Sequence, residues 1–160
     1  MNIESCVAEG FLKKVKSSKE IQKKEFASAE YDLKRAESSS EDGDYKWSII
    51  QSYYAIFHSA RALLDRFGYR ERKHFAIGVV LEDFANKKKI DMKLISDFHA
   101  AMSAREDADY RDVYSKETSD YLIEISWEFV DKIKEVMAHD ENKNDKQKGK
   151  KKDEEDGNDA

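Results

Sequence analysis

The sequence predicts an all-α protein, an up-and-down bundle of four to five helices. The 160 residues include no proline and only six glycines, so the residues that most often interrupt helices are scarce. Apolar residues recur at spacings of three and four, which places them on one face of a helix, and no run alternates long enough to indicate a strand. With 39% apolar residues, the chain is long enough for one core and too short for two domains to be expected.

Capping residues and apolar stripes define the first two long helices. A short apolar piece of chain precedes them. Ser17, with Glu20 three residues later, forms a capping-box pattern, so we expect the first long helix to begin there. Asp44 is placed to cap a second helix over roughly residues 45–67. This second helix is apolar on two sides and is therefore expected to be central.

Three more helices complete the predicted bundle. Gly68 ends the second helix, and a third follows with Ile77 and Leu81 on its inner face. Asp91 is placed to cap the fourth helix, and a fifth carries an apolar stripe that includes Phe129. The connections between these helices are short, so we expect mostly antiparallel neighbours.

The end of the chain differs in composition from the rest. Residues 141–160 read "ENKNDKQKGKKKDEEDGNDA", a basic run followed by an acidic one with no large apolar residue. Such a segment cannot bury enough apolar surface to order itself. We therefore expect residues 1–140 to form a single helical domain and residues 141–160 to form a disordered charged tail.

Charge and cysteine content exclude several classes of protein. The formal net charge of −5 argues against a protein that grips nucleic acid mainly by bulk electrostatics, so any RNA contact is expected to be local. Cys6, the single cysteine, cannot form an intramolecular disulfide, and no stretch has the length and apolarity of a signal peptide or a membrane span. We expect a cytoplasmic protein without a membrane segment.

Arg105 stands where the pattern of the fourth helix requires an apolar residue. It follows Phe98 and Ala101 at spacings of three and four, so it shares their helical face. A guanidinium on an apolar face needs partners, because it stays charged and an unpaired buried charge is unfavourable. Asp109, four residues later, and His99 are the nearest candidates on the same helix. Arg105 and Asp109 either tie two helices together or belong to a site.

A second polar feature lies on the central helix. Five polar residues recur there at spacings of three and four, which aligns them on one strip: Gln51, Tyr54, His58, Arg61 and Asp65. His58 could act as an acid or base, Arg61 could hold a phosphate, and Tyr54 could stack on a base or donate a hydrogen bond. The plainer interpretation is an Arg61–Asp65 surface pair beside a packed histidine.

His74 stands at the expected start of the third helix, beside Arg70, Arg72 and Lys73. This is the densest basic cluster of the predicted domain, and it could bind phosphate or could simply be an exposed basic loop. No metal site is expected, because the four histidines include no His-x-x-x-His pair and a single cysteine cannot complete a zinc knuckle.

Two motifs together resemble a known family. The first is "SYYAIFHSARALLDRFGYRERKH", Ser52 to His74, and the second is "REDADY", Arg105 to Tyr110. The pair resembles the HEPN family of small prokaryotic helical domains, in its stand-alone branch with an Arg-x-x-Ala-Asp-Tyr motif. The resemblance covers roughly Ile3 to Met137. It implies a bundle of four or five helices, usually a dimer in which the arginine-bearing helices of both subunits face a common cleft.

The resemblance also implies an activity. Many relatives are metal-independent ribonucleases, often toxins paired with a minimal nucleotidyltransferase antitoxin, and their signature is an arginine and a histidine separated by four to six intervening residues. Arg105 matches the arginine, but residues 110–112 include no histidine. Cleavage by 2′-hydroxyl attack needs groups that take and supply protons. Our hypothesis is that His58 supplies the missing imidazole, with Tyr110 orienting the phosphate and Asp109 fixing Arg105.

One leading hypothesis and two alternatives follow. The leading hypothesis is a homodimeric HEPN-type domain that binds RNA or a nucleotide in a cleft lined by Arg105, Asp109 and Tyr110, without a cofactor. Its expected partner is a minimal nucleotidyltransferase in a toxin–antitoxin-like system. Further ligand contacts are expected from four side chains: Tyr54, Arg61, His74 and Arg111. The alternatives are an active metal-independent endoribonuclease toxin that uses Arg105 with His58, and a structural protein-interaction module.

Overall fold

The computed structural model describes residues 1–157 and confirms the all-α bundle. In chain order its elements are α1 (Ile3–Ala8), β1 (Leu12–Lys14), α2 (Lys19–Glu41), α3 (Tyr45–Arg66), β2 (Tyr69–Glu71), α4 (Phe75–Asn86), α5 (Met92–Tyr110) and α6 (Lys116–Asp156). The five predicted helices correspond to α2 through α6, and the short apolar piece before them forms α1 and β1. Within the described residues, no helix is both long enough and apolar enough to cross a bilayer.

Helix α3 is the centre of the bundle, as its two apolar sides predict. It packs against α2, α5 and α6. Tyr53, Ile56 and Leu63 are fully buried on it, and they meet Phe98 from α5 and Phe129 from α6 in the main core. Because α3 is surrounded, its larger polar side chains are expected to find partners on neighbouring elements. The partners of these polar residues therefore show which elements form a site.

The predicted caps agree with the structure at two helices and differ at one. The carboxylates of Asp44 and Asp91 accept backbone hydrogen bonds at the starts of α3 and α5, as expected. Helix α2 is capped by Ser18 rather than by Ser17. The reason is a long-range contact, because the backbone N–H of Ser18 donates to the buried carboxylate of Asp65 at 2.9 Å and holds this residue outside the helix.

The structure contains a small sheet that the sequence does not predict. Strands β1 and β2 pair antiparallel, with Leu12 opposite Glu71 and Lys14 opposite Tyr69. Strands of three residues are too short to produce a recognisable alternation. Gly68, with a φ of +84°, turns the chain from α3 into β2, and a Cβ there would lie 3.2 Å from the Val15 carbonyl oxygen. The sheet fixes the path of the chain that leads to α4.

The charged end of the chain also differs from the expectation. Residues 141–156 continue α6 as a helix, although we expect a disordered tail from their composition. Every one of these residues is exposed, so no tertiary packing supports this part of the helix. Residues 158–160 of the predicted tail lie outside the described residues. The division of the chain after residue 140 stays a prediction.

Candidate functional site

Arg105 lies in a cluster of tyrosine rings between α3 and α5. Its guanidinium carbon is 5.7 Å from the ring centroids of both Tyr53 and Tyr54 and 5.2 Å from that of Tyr110. Its Nη2 atom donates to the Tyr54 hydroxyl at 3.3 Å and pairs with the Asp109 carboxylate, also at 3.3 Å. The aromatic faces explain how a permanent cation is accommodated on an apolar stripe. We call these five side chains the arginine cluster.

The charge of Arg105 is only partly compensated. Its side chain is 16% exposed, and its Nε atom is buried without a hydrogen-bond acceptor among the described residues. Burial disfavours the charge, but Tyr54, Tyr110 and Asp109 outweigh burial and hold the pKa of Arg105 above its ordinary value. The guanidinium is therefore a fixed cation with donor capacity that the protein does not use. The accessible part of that capacity is Nη1, which makes no hydrogen bond among the described residues and is not one of the buried atoms that lack a partner, so an anion can reach it.

Tyr110, the last residue of the REDADY motif, and Arg111, which follows it, differ in their contacts. Tyr110 is 72% exposed, so its ring covers one side of Arg105 and is open to solvent on the other. Arg111, predicted as a further ligand contact, donates instead to Asp107 at 2.5 Å and is exposed at the end of α5. No hydrogen bond of the described residues connects Arg111 to the arginine cluster. Its role in ligand binding stays a prediction.

His74 reaches the arginine cluster through Tyr53. The Tyr53 hydroxyl and His74 Nδ1 are 2.9 Å apart, and Tyr53 is fully buried. Burial holds the pKa of Tyr53 far above its usual range, so its hydroxyl stays protonated. Burial also lowers the pKa of His74, and the charges of Arg105 and Arg61 add to this, against the opposite effect of Glu71. His74 is thus an imidazole close enough to sense the charge of Arg105.

His58 faces a different helix from Arg105. Its Nδ1 atom lies 2.7 Å from Glu25 Oε2, and its Nε2 atom lies 3.6 Å from Asp32 Oδ2, both on α2. Within residues 1–157, no hydrogen bond or ion pair joins His58 to Arg105. The catalytic pairing of these two residues stays a prediction, and the observed geometry gives each of them separate partners.

Arg61 and Asp65 do not form the surface pair of the plainer interpretation. Arg61 donates from Nε to Glu71 at 2.7 Å and lies 3.5 Å from Glu25. Asp65 is buried, and it accepts from Gln22 Nε2 at 2.8 Å besides the Ser18 backbone. The prediction of an Arg61–Asp65 surface pair is therefore wrong. The predicted strip on α3 is divided, and among its members only Tyr54 bonds to Arg105.

Tyr53 is a core residue of α3, and the structure gives it a second function. Its ring fills the core, while its hydroxyl holds His74 and its face lies against Arg105. A tyrosine at a core position needs a partner for its hydroxyl, so the pair of adjacent tyrosines at 53 and 54 was the available signal. The identity of the partner could not be inferred, because His74 is 21 residues away.

The arginine cluster has the chemistry of an anion site beside a stacking surface. A guanidinium with free N–H groups binds phosphate, and exposed tyrosine faces stack on bases. Glu25 has a structural role, because one imidazole and two guanidinium groups converge on it: His58, Arg61 and Arg70. Among residues 1–157, no group of three or more His, Cys, Asp or Glu side chains is arranged to hold a metal ion.

Comparison with known proteins supports the resemblance found in the motifs. The HEPN domain family matches residues 23–136, which include α3, α5 and Arg105. The chain is also 25% identical over 112 residues to the "Putative toxin MJ0142" of Methanocaldococcus jannaschii, and the aligned part covers 68% of this chain and 76% of that protein. Because the family match extends over most of the bundle, the chain belongs to the HEPN domain family.

Proposed function

We propose that this chain is a HEPN-type domain that binds RNA or a nucleotide in a dimer cleft lined by Arg105, Asp109 and Tyr110. The observation that carries the proposal is the guanidinium of Arg105, which is mostly buried, is paired with one carboxylate and has an Nη1 group that makes no hydrogen bond among the described residues and is accessible to solvent. In a site of purely structural purpose, the donors of a buried cation are expected to be satisfied. A phosphate oxygen would supply the missing acceptor.

The surface around the arginine cluster supports a homodimer. Large apolar side chains are exposed where α5 ends and where α3 and α6 begin: Trp47, Tyr110, Val113, Tyr114 and Tyr121. These ends are held together, because Ser119 donates to Ser48 at 2.9 Å and Lys46 donates to Asp112 at 3.3 Å. An exposed apolar area at one end of a bundle favours association. In a dimer that uses this end, the two copies of Arg105 would line one cleft.

The similarity to an archaeal protein named as a toxin supports a toxin-like role for this chain. Its expected partner is a minimal nucleotidyltransferase that acts as the antitoxin, as the family resemblance implies. The net charge of −5 fits binding through a local site rather than through an extended basic surface. Coexpression with a candidate minimal nucleotidyltransferase, followed by copurification, tests this partnership directly.

A second candidate function is metal-independent cleavage of RNA. It is favoured by one observation, the presence of an imidazole next to the arginine cluster, and that imidazole belongs to His74 rather than to His58. Arginine stabilises the charged phosphate, whereas an imidazole can act on the hydroxyl groups. An assay that measures RNA cleavage as well as RNA binding separates this candidate from binding alone.

The experiment compares the wild type with Arg105→Ala in the presence of a metal chelator. It uses protein concentrations at which light scattering shows a dimer. Binding of a fluorescent single-stranded RNA is measured by anisotropy, and cleavage by gel. We expect Arg105→Ala to weaken binding by about tenfold or more, as for the loss of a charge-assisted hydrogen bond. The matched control is Arg35→Ala, which removes an exposed arginine of α2 and should bind RNA as the wild type does. Equal affinities for all three proteins would contradict the proposal.

A further inference from the structure

The contact between Tyr53 and His74 fixes the position of a proton. The Tyr53 hydroxyl is buried, and His74 Nδ1 is its one hydrogen-bond partner among residues 1–157. Because burial holds the pKa of Tyr53 far above its usual range, the hydroxyl keeps its proton, and a buried donor needs an acceptor. Nδ1 must therefore be the unprotonated ring nitrogen of His74.

The tautomer of His74 follows from this contact. A neutral imidazole carries one N–H, so with Nδ1 accepting from Tyr53, the proton of His74 lies on Nε2. Nε2 has no hydrogen-bond partner in the described part of the chain, and it is absent from the buried polar atoms that lack one. The Nε2–H group is thus open to solvent and free to donate.

The surrounding charges favour the neutral ring. The imidazolium form would have two N–H groups, and the Tyr53 proton would then lose its acceptor. The charged groups that act on His74 come from three elements: Arg61 on α3, Glu71 on β2 and Arg105 on α5. Glu71 opposes the two arginines, but one of its oxygens already accepts from Arg61 Nε. Together with burial, the two cations outweigh it and lower the pKa of His74.

We propose that His74 is the second anion-binding group of the arginine cluster and donates through Nε2–H as a neutral imidazole whose tautomer the Tyr53 hydroxyl fixes. This inference rests on the proposed function, because the anion is the phosphate of the RNA or nucleotide bound by Arg105. Tyr53 links the two groups, since its hydroxyl holds His74 while its ring face lies 5.7 Å from the Arg105 guanidinium carbon. Tyr53 is a positioning residue, because it acts on the ligand through His74.

The first test needs no ligand. Long-range ¹H–¹⁵N correlation spectra of the imidazole groups report which ring nitrogen carries the proton. In the wild type we expect the His74 proton on Nε2 throughout the neutral pH range. In Tyr53→Phe, which keeps the ring and removes the hydroxyl, we expect a mixture of tautomers and a His74 that titrates at higher pH than in the wild type. A wild-type spectrum with the proton on Nδ1 would overturn the assignment.

The second test measures binding with two replacements of His74. Glutamine places an amide N–H near the position of Nε2, whereas leucine removes the donor and keeps similar bulk. We expect His74→Leu to weaken binding of a fluorescent single-stranded RNA by about tenfold, and His74→Gln to recover most of that loss. Thermal unfolding of each variant identifies one that has not folded, and the wild-type spectrum remains as an independent test in that case.

A parallel titration with AMP distinguishes a nucleotide phosphate from an RNA backbone as the source of the anion. If Arg105→Ala and the wild type bind both probes equally, the proposed function fails, whatever the tautomer of His74. If Arg105→Ala weakens binding and His74→Leu does not, the proposed function stands and the inference about His74 is overturned. If glutamine binds as weakly as leucine, His74 does not act as a simple donor, and the inference is also overturned.

Discussion

The central helix α3 contributes to two polar clusters, and they differ in how their charges are compensated. On the side of α2, the imidazole of His58 and the guanidinium groups of Arg61 and Arg70 converge on Glu25, and Asp32 and Glu71 provide further carboxylates. We call this the Glu25 cluster. On the side of α5, Arg105 has one carboxylate and three tyrosine rings. In the Glu25 cluster every basic side chain has a carboxylate partner, although Glu71 Oε2 is buried without a hydrogen bond, whereas in the arginine cluster Arg105 has an unused donor.

We interpret this difference as one between a structural polar cluster and the proposed binding site. In the Glu25 cluster, burial raises the pKa of Glu25, but the His58 hydrogen bond and the charges of Arg61, His58 and Arg70 outweigh burial, and the net effect is a lowered pKa. The carboxylate is therefore stabilised in its charged form by groups of the protein. In the arginine cluster, Asp109 and the tyrosines likewise favour the charged form of Arg105, but its Nη1 group makes no hydrogen bond among the described residues and is left to donate.

The largest expected effect is on stability, from Glu25→Ala. Removal of the buried Glu25 carboxylate takes away the carboxylate partner of Arg70 and the nearest one of His58, while Arg61 keeps Glu71, so we expect a destabilisation of about 3 kcal/mol, the lower end of the range for breaking a buried pair. Urea unfolding followed by circular dichroism measures it. The matched control is Glu20→Ala on the same helix, where the exposed pair with Lys24 is expected to contribute less than about 0.5 kcal/mol. Similar losses of unfolding free energy for both variants would mean that the Glu25 cluster does not stabilise the fold more than an exposed ion pair does.

His58→Ala should separate stability from function. We expect a loss of about 1–2 kcal/mol, because Glu25 loses its 2.7 Å partner, but a change in RNA affinity of less than about twofold. Urea unfolding and RNA anisotropy on the same preparation provide both numbers. A large loss of RNA affinity in a well-folded His58→Ala protein would support the original pairing of His58 with Arg105 and would remove the distinction between the clusters.

The pH dependence of stability should depend on Glu25. Its pKa is lower in the folded protein than its ordinary value of 4.5, so its contribution is fully present above that value and is lost as the pH falls through the folded-state pKa. We therefore expect the wild type to lose stability below about pH 4.5 more steeply than Glu25→Gln, which cannot titrate at this position. Thermal unfolding across the acidic range measures this, and parallel curves for the two proteins would contradict it.

The smallest effect is expected from removal of the charged end. Residues 141–157 are all exposed, so truncation after residue 140 should change the free energy of unfolding by less than about 0.5 kcal/mol. Binding of RNA by the arginine cluster should also persist. A truncated protein that unfolds at much lower urea concentration would mean that the domain extends into this part of α6.

Much of the fold could be predicted because it depends on local patterns. The spacing of apolar residues identified five helices, and Asp44 and Asp91 identified two of their starts. The strands β1 and β2 escaped prediction because three residues carry too little pattern, and the cap at Ser18 escaped it because Asp65 acts from 47 residues away. Residues 141–156 are helical although their composition indicated disorder.

The candidate site was only partly predictable, for a related reason. Arg105 stood out because it interrupts an apolar stripe, and Asp109 could be paired with it because the two lie one turn apart. The sequence of α3 alone does not show which neighbouring helix each of its polar side chains contacts. Tyr54 bonds to α5, while His58, four residues later, bonds to α2. Which histidine lies near Arg105 depends on the turn at Gly68 and on β2, which carry His74 to Tyr53.

The most direct test of the account is Arg105→Met, measured for RNA affinity and for stability on one preparation. Methionine fills the space between the tyrosine rings without the charge. We predict a loss of RNA affinity of about tenfold or more, with a change of less than about 1 kcal/mol in the free energy of unfolding. Unchanged RNA affinity together with unchanged or increased stability would contradict it, and would leave Arg105 and Asp109 as a structural tie between helices.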